Sequence, residues 1–343
     1  MSDILNTLTK QITEGAVLPP EQMTAGFDQM MTGEASAVQI AAFLIALKMR
    51  GEVPSDIAAG AASLRRHALT LTAPDGAMDI VGTGGDGIGT YNISTATALV
   101  LAGAGVPVAK HGNKAVSSKS GAADVLTALG INLDCPFEAL SQALNTANIV
   151  FLMAPRHHSA MRHVGPVRAE LGVRTIFNLL GPLSNPALVK RILVGVFDAR
   201  WLTPFAEALH TLGTTHAWVV HGADGLDELS TTGANQIALL KDGQISEASL
   251  HPSDLGLPTA SLADIKGGSA EENAAALRTL LDGQTGPYRD IVLLNAAAGF
   301  VAGGHETELS VGLERAKKAI DSGAAKSALD QLITTTNKQN SDR

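Results

Sequence analysis

The chain has 343 residues, more than one compact core usually holds, so two domains are expected. A content of 45% hydrophobic and 17% charged residues describes a globular protein with large buried surfaces, and only 3% aromatics leaves Ala, Leu, Ile and Val to fill a core of closely packed helices. The formal net charge of −8 argues against a nucleic-acid backbone as main partner, and the single cysteine, Cys135, excludes an intrachain disulfide and reads as a packing residue in a cytoplasmic protein.

The opening MSDILNTLTKQITEG has no basic segment followed by an apolar block, so no signal peptide is expected. Apolar runs such as AAFLIAL are too short to span a bilayer, and no membrane partner is expected. Residues 1–73 predict a small all-helical domain. Ser36 and Gln39 have the spacing of a capping box, and Ile40, Phe43, Leu44 and Leu47 then fall on one helical face. Gly51 and Pro54 close that helix, Ser55 is placed to cap the next, and Pro74-Asp75-Gly76 is a turn.

From Asp79 the pattern becomes α/β. Short apolar runs at Asp79–Val81, Val106–Ala109, Ile149–Met153, Arg191–Phe197, Ala217–Val220 and Ile291–Leu294 read as strands, with helical stretches between them. Lys241-Asp242-Gly243 reads as a hairpin turn. The fold class is therefore α/β: a helical N-terminal domain, then a larger domain over 74–155 and 187–335 with a mainly parallel sheet flanked by helices. The segment 156–186, rich in His, Arg and Pro, shows no clear strand pattern, and part of it is expected to join the helical region. The tail is polar and uncapped from Thr334, and 336–343 is read as disordered.

The chemistry concentrates in a few stretches. VGTGGDGIGTYNIST, starting at Val81, lies between a strand and a helix over 92–104. Glycine destabilises ordinary structure, so this density suggests a loop whose backbone is approached closely, with free N–H groups around an anion. A second strand–loop–helix unit carries Lys110-His111-Gly112-Asn113-Lys114 and Ser117-Ser118-Lys119-Ser120, followed by a helix over 122–129. Two such cradles suit a substrate with two phosphate groups. Beyond the strand Ala217–Val220, Asp227-Glu228 offers the oxygen donors that Mg²⁺ prefers. Arg168, with Arg174 nearby and Asn178 to Leu183 beyond, offers a guanidinium fork for a carboxylate or a structural ion pair. His157, His158 and His163 lack the local acidic or Cys partners of a metal site.

The ordered set GTGGD, NIST, KHGN, SSKSGxAD, GPVR, NLLGPLSNP and LDE resembles the anthranilate phosphoribosyltransferases over nearly the whole chain. The resemblance implies a homodimer through the helical domains. It also implies transfer of phosphoribose from 5-phosphoribosyl 1-diphosphate to the amine of anthranilate, with Mg²⁺ as cofactor, two ions per subunit. Gly82, Gly85, Asp86, Thr90, Asn92, Ile93, Ser94 and Thr95 are then expected around phosphoribosyl diphosphate. So are Lys110, His111, Gly112, Asn113, Lys114, Ala115, Val116, Ser117, Ser118 and Ala122. Ser94, Asp227 and Glu228 match the metal ligands, and Gly82, Asn113 and Arg168 the anthranilate contacts, with His111 and Pro182 as channel walls. No general base is evident; Arg168, Lys110 and Asn113 are the most influential side chains. Ala122, Lys114 and Ser159 depart from the family's common Ser, Arg and Pro without touching the metal residues or Arg168. A pyrimidine nucleoside phosphorylase and a non-catalytic nucleic-acid-binding relative are the rivals, and the GTGGD loop, the Asp227-Glu228 pair and the acidic charge weigh against them.

Overall fold

The first four helices form where their ends are capped and one face of each is apolar. In the computed structural model, which describes residues 4–113 and 120–338, they are α1 (Ile4–Thr13), α2 (Pro20–Met31), α3 (Ala37–Arg50) and α4 (Pro54–Arg66). The Ser36 hydroxyl accepts from the Gln39 N–H at 3.3 Å, and the Gln39 side-chain oxygen accepts from the Ser36 N–H at 2.9 Å, closing the capping box. Ile40, Phe43, Leu44 and Leu47 are buried as expected. Ser55, however, is not the next cap. Val53 holds that position, Pro54 occupies the first turn, and the Asp56 carboxylate accepts from the Val53 N–H at 3.0 Å.

The α/β part begins with β1 (Met78–Gly82), α5 (Ile93–Gly103), β2 (Val108–Gly112), α6 (Ala122–Ala128), α7 (Phe137–Ala147) and β3 (Ile149–Met153). The segment 156–186 holds the second half of α8 (Ala154–His157) and all of α9 (Gly165–Leu171) and α10 (Phe177–Leu183). Val164, Val167, Phe177, Leu180 and Leu183 share one apolar core with α1–α4 and with one face of the sheet. Then follow β4 (Arg191–Gly195), α11 (Leu202–Thr211), β5 (His216–His221), β6 (Asn235–Lys241) and β7 (Gln244–Leu250). The last helices are α12 (Ala270–Leu281), α13 (Pro287–Ala302), α14 (Leu309–Asp321) and α15 (Ala324–Asn337).

The seven strands run in the order β3-β2-β1-β4-β5-β6-β7, parallel through β5 and antiparallel for the final hairpin. Asp242 and Gly243, with φ of 50° and 77°, make the expected two-residue turn. Alternation sends Val81, Ile192 and Val194 into the core shared with the helical domain, and Ile80 and Leu193 into the core under α5 and α13. Strand order reverses between β1 and β4, whose ends pair Gly82 with Gly195. Such a switch opens a crevice at the carboxyl ends of the strands.

Three expectations are corrected. Ile291–Leu294 is not a strand but part of α13, which is buried on nearly all sides, so its apolar run carried no polar face to reveal the helical period. The tail from Thr334 is helical through Asn337, including the Thr336 and Asn337 positions expected to be disordered. Thr335 and Thr336 are buried, and the Asn337 amide donates to the Gly130 carbonyl at 2.8 Å. Lys110 and His111 belong to β2 rather than to a loop. Among the described residues no helix is long and apolar enough to cross a membrane.

Candidate active site

The glycine loop leaves β1 at the strand-order switch. Gly84, Gly85, Gly87 and Gly89 all have φ between 70° and 79°, a region that side chains avoid, which explains why the loop needs glycine. Gly82 and Gly195 are glycines for another reason. A Cβ on Gly82 would lie 2.3 Å from Asp227 Oδ2, and one on Gly195 would lie 1.6 Å from the Asp227 carbonyl oxygen. The two strand ends thus admit the loop that follows β5.

That loop brings Asp227 and Glu228 against the cradle. The Gly84 N–H donates to Asp227 Oδ2 at 2.6 Å, and the Ser94 N–H, in the first turn of α5, donates to Glu228 Oε1 at 3.2 Å. The Ser94 hydroxyl also lies beside Glu228, and the Asp86 carboxylate beside Asp227. Burial and the neighbouring Asp86 and Glu228 carboxylates push Asp227 well above the usual carboxylate range. Burial pushes Glu228 up to about 7, against the pull of Lys110 and of the Ser94 hydrogen bonds. Carboxylates crowded in this way favour a cation among them. The donor set is all oxygen, which fits a hard ion such as Mg²⁺. Among the described residues no group of three or more His, Cys, Asp or Glu forms a metal cage. An ion held here would draw remaining ligands from water and substrate oxygens, as Mg²⁺ commonly does.

Lys110 and His111 stand on β2 beside this pair. The Lys110 ammonium donates to the Ile80 carbonyl, 3% exposed. Burial lowers its pKa, opposed first by Asp79 and then by Glu228 and Asp227. Asp79, fully buried in β1, accepts from the His111 N–H at 3.1 Å and from Asn185 Nδ2 at 2.7 Å. β1 and β2 pair in register only at Met78–Val108. Side chains therefore complete the joint between them. The His111 ring meets the Gly181 carbonyl at 3.2 Å, beside Pro182, and packs edge-on to His158 at 5.2 Å between centroids. Burial holds His111 down to about 3 and His158 to about 4, so both imidazoles are neutral at pH 7.

Arg168 lies on α9 with its guanidinium carbon 5.4 Å from the Phe177 ring centroid. It makes no ion pair among the described residues, and burial alone lowers its pKa. Arg174 bonds the Gly85 carbonyl and sits 4.3 Å over the Phe197 ring, while Lys48 Nζ of α3 donates to the Arg174 backbone carbonyl at 2.7 Å. This path ties the helical domain to the glycine loop.

The structure therefore brings together Gly82, Gly85, Asp86, Ser94, Lys110, Asp227 and Glu228 around the switch crevice, and groups His111, Pro182 and Arg168 along α10. Asn92 is held by Asn273 at 2.9 Å, Thr90 bridges to Lys266, and the buried Thr95 hydroxyl has no partner among the described residues. Ile93 points into the core and offers only its backbone. Gly112 packs on Phe151, and the Asn113 carbonyl accepts from Ala123 next to Ala122. Lys114, Ala115, Val116, Ser117 and Ser118 lie outside the described residues. Sequence reasoning missed Asp79, Asn185 and Asn295. The signal for Asp79 was an acid in the middle of an apolar strand, which burial forbids without partners.

The glycosyl transferase helical-bundle domain family matches residues 6–68, and the glycosyl transferase a/b domain family matches 74–326. An anthranilate phosphoribosyltransferase of Parvibaculum lavamentivorans is 57% identical over 97% of this chain and 98% of its own, and that of Brucella abortus 52% over 98% and 99%. The crystal structure of the Thermus thermophilus enzyme superposes with a TM-score of 0.92 at 46% identity, over 96% of this chain and 99% of its own. The Saccharomyces cerevisiae enzyme in complex with PRPP and Mg gives 0.89 at 28% identity, over 98% of each chain. The same yeast enzyme with 4-fluoroanthranilate gives 0.86 at 26%, over 97% of each. On identity, coverage and both domain matches, the chain belongs to the anthranilate phosphoribosyltransferases of the glycosyl transferase family.

Proposed function

We propose that the loops at the switch crevice divide the family's reaction between them. The chain transfers the 5-phosphoribosyl group from 5-phosphoribosyl 1-diphosphate to the amine of anthranilate, a step of tryptophan biosynthesis, giving N-(5-phosphoribosyl)anthranilate and diphosphate. The observation that carries the assignment is the convergence of the Gly84 and Ser94 N–H groups on Asp227 and Glu228, which makes loop, helix start and acidic pair one site. The glycine loop, the start of α5 and the Lys110–Asn113 stretch hold the diphosphate and ribose phosphate. Ser94, Asp227 and Glu228 hold Mg²⁺, two ions per subunit. Bound Mg²⁺ neutralises the leaving diphosphate. Arg168 grips the anthranilate carboxylate between His111 and Pro182 and turns the amine toward the anomeric carbon. The aromatic amine is unprotonated at neutral pH, so positioning and electrostatics suffice without a strong base.

The helical domain, joined by 156–186, also carries the dimer contact in this reading. Support comes from an apolar groove of about 740 Å³ between α1 and α3, bordered by Val38 and Met49 at 77% and 79% exposure. An exposed apolar surface of this kind suits a second copy of the chain. Val38→Glu with Met49→Glu should yield monomers in sedimentation velocity. The location is taken as cytoplasmic. The site assignment is tested by calorimetric titration with Mg²⁺–phosphoribosyl diphosphate. Wild type should bind and Asp227→Asn/Glu228→Gln should bind far more weakly; equal affinities would remove the acidic pair from the site.

A further inference from the structure

Glu228 is followed by Leu229, whose backbone is held from both sides by one buried side chain. Asn295, on α13 and fully buried, accepts from the Leu229 N–H at 3.0 Å through Oδ1 and donates to the Leu229 carbonyl at 2.7 Å through Nδ2. A further bond from Nδ2 to the Ile291 carbonyl at 2.9 Å fixes the amide's own orientation. Asn235 then holds Ser230, accepting from its N–H at 2.6 Å and donating to its carbonyl at 3.0 Å. On the other side, Gly222 admits the Glu228 carbonyl so closely that a Cβ there would lie 2.3 Å from it. The acidic pair thus sits on a backbone with no regular partner strand, and an asparagine from a helix stands in for one.

We propose that Asn295 is a positioning residue for the transfer reaction, setting the backbone at Leu229 so that Glu228 and Asp227 face the metal and the glycine loop. The proposal rests on the metal role given above to the acidic pair. Its amide is suited to the task because it supplies one donor and one acceptor in a plane, matching both groups of a single residue. Partners that orient metal ligands act on metal affinity more than on acceptor binding. The acceptor contacts, Arg168 and His111, lie on other elements.

The test compares wild type, Asn295→Ser, Asn295→Asp and Glu228→Gln. The readouts are Mn²⁺ bound in the presence of phosphoribosyl diphosphate, counted by electron paramagnetic resonance, the Mg²⁺ concentration for half-maximal turnover, the anthranilate KM and the melting temperature. Asn295→Ser should weaken Mn²⁺ binding and raise the Mg²⁺ requirement by about tenfold, with the anthranilate KM unchanged. Asn295→Asp, equal in size, keeps the acceptor but turns a second oxygen toward the Leu229 and Ile291 carbonyls, and should weaken Mn²⁺ binding at least as much. A lower melting temperature with Mn²⁺ binding and Mg²⁺ requirement unchanged would make Asn295 a fold residue and overturn the proposal, as would failure of both variants to fold. Glu228→Gln separates the layers. If it weakens Mn²⁺ binding and Asn295→Ser does not, the positioning role fails alone; if neither does, the metal reading fails with it.

Discussion

Arg168→Ala removes a guanidinium that has no ionic partner among the described residues and is over the Phe177 ring at 5.4 Å. What the fold loses is therefore a cation–π contact and some packing, about 0.5–1 kcal/mol. That should lower the melting temperature by no more than about 4 °C in a chain of this size. What the anthranilate complex loses is larger. Burial already lowers the Arg168 pKa, so the site has desolvated the charge in advance of its ligand. A charged hydrogen bond to the carboxylate is worth about 1.5–3 kcal/mol, which converts to a rise of roughly 10- to 150-fold in the anthranilate KM. The KM for phosphoribosyl diphosphate should change little, and Arg168→Lys should recover only part because an ammonium lacks the planar fork. Steady-state kinetics with each substrate varied, beside a thermal melt, measures all three. A melting temperature lowered by much more than this, with the anthranilate KM unmoved, would refute the argument and make Arg168 structural.

Gly82→Ala places a Cβ 2.3 Å from Asp227 Oδ2 and should raise the Mg²⁺ requirement, as a Mg²⁺ titration of initial rates will show. Gly85→Val puts a branched side chain at φ 79° and 3.2 Å from the Arg174 guanidinium, so calorimetry should find much weaker binding of phosphoribosyl diphosphate. For pH, the folded state raises Glu228 from 4.5 to about 7 and so binds its proton more tightly than the unfolded chain does. Its contribution to stability is complete below pH 4.5 and is lost as pH rises through about 7. Melting temperatures of metal-free protein should show this fall, and Glu228→Gln should reduce it, with the raised Asp227 supplying the remainder.

Much of the site was legible because its chemistry is local in sequence. GTGGD needs positive φ at Gly84 and Gly85, and NIST begins a helix, so the cradle is visible as a string. Asp227-Glu228 follows a strand end, where site residues collect. The missed parts act across the chain. Asp79 answers to Asn185 and His111, and Asn295 answers to Leu229, 66 residues away, pairings that no spacing rule contains. Gly195, inside the expected strand Arg191–Phe197, carries no local sign of the Asp227 carbonyl that packs against it. Ile291–Leu294 misled because a helix buried on all sides and a buried strand share the same composition. The α15 terminus misled because its polar residues are tied to the loop at Gly130 and Asn132, a tertiary contact.

The most direct test of the account follows anthranilate fluorescence after purified protein, anthranilate, phosphoribosyl diphosphate and Mg²⁺ are mixed, with released diphosphate measured in the same sample. Fluorescence should decay only when all components are present, one diphosphate should appear per anthranilate consumed, and Asp227→Asn/Glu228→Gln should abolish both signals. Undiminished fluorescence with the complete mixture, or full turnover by the doubly substituted protein, would contradict the account.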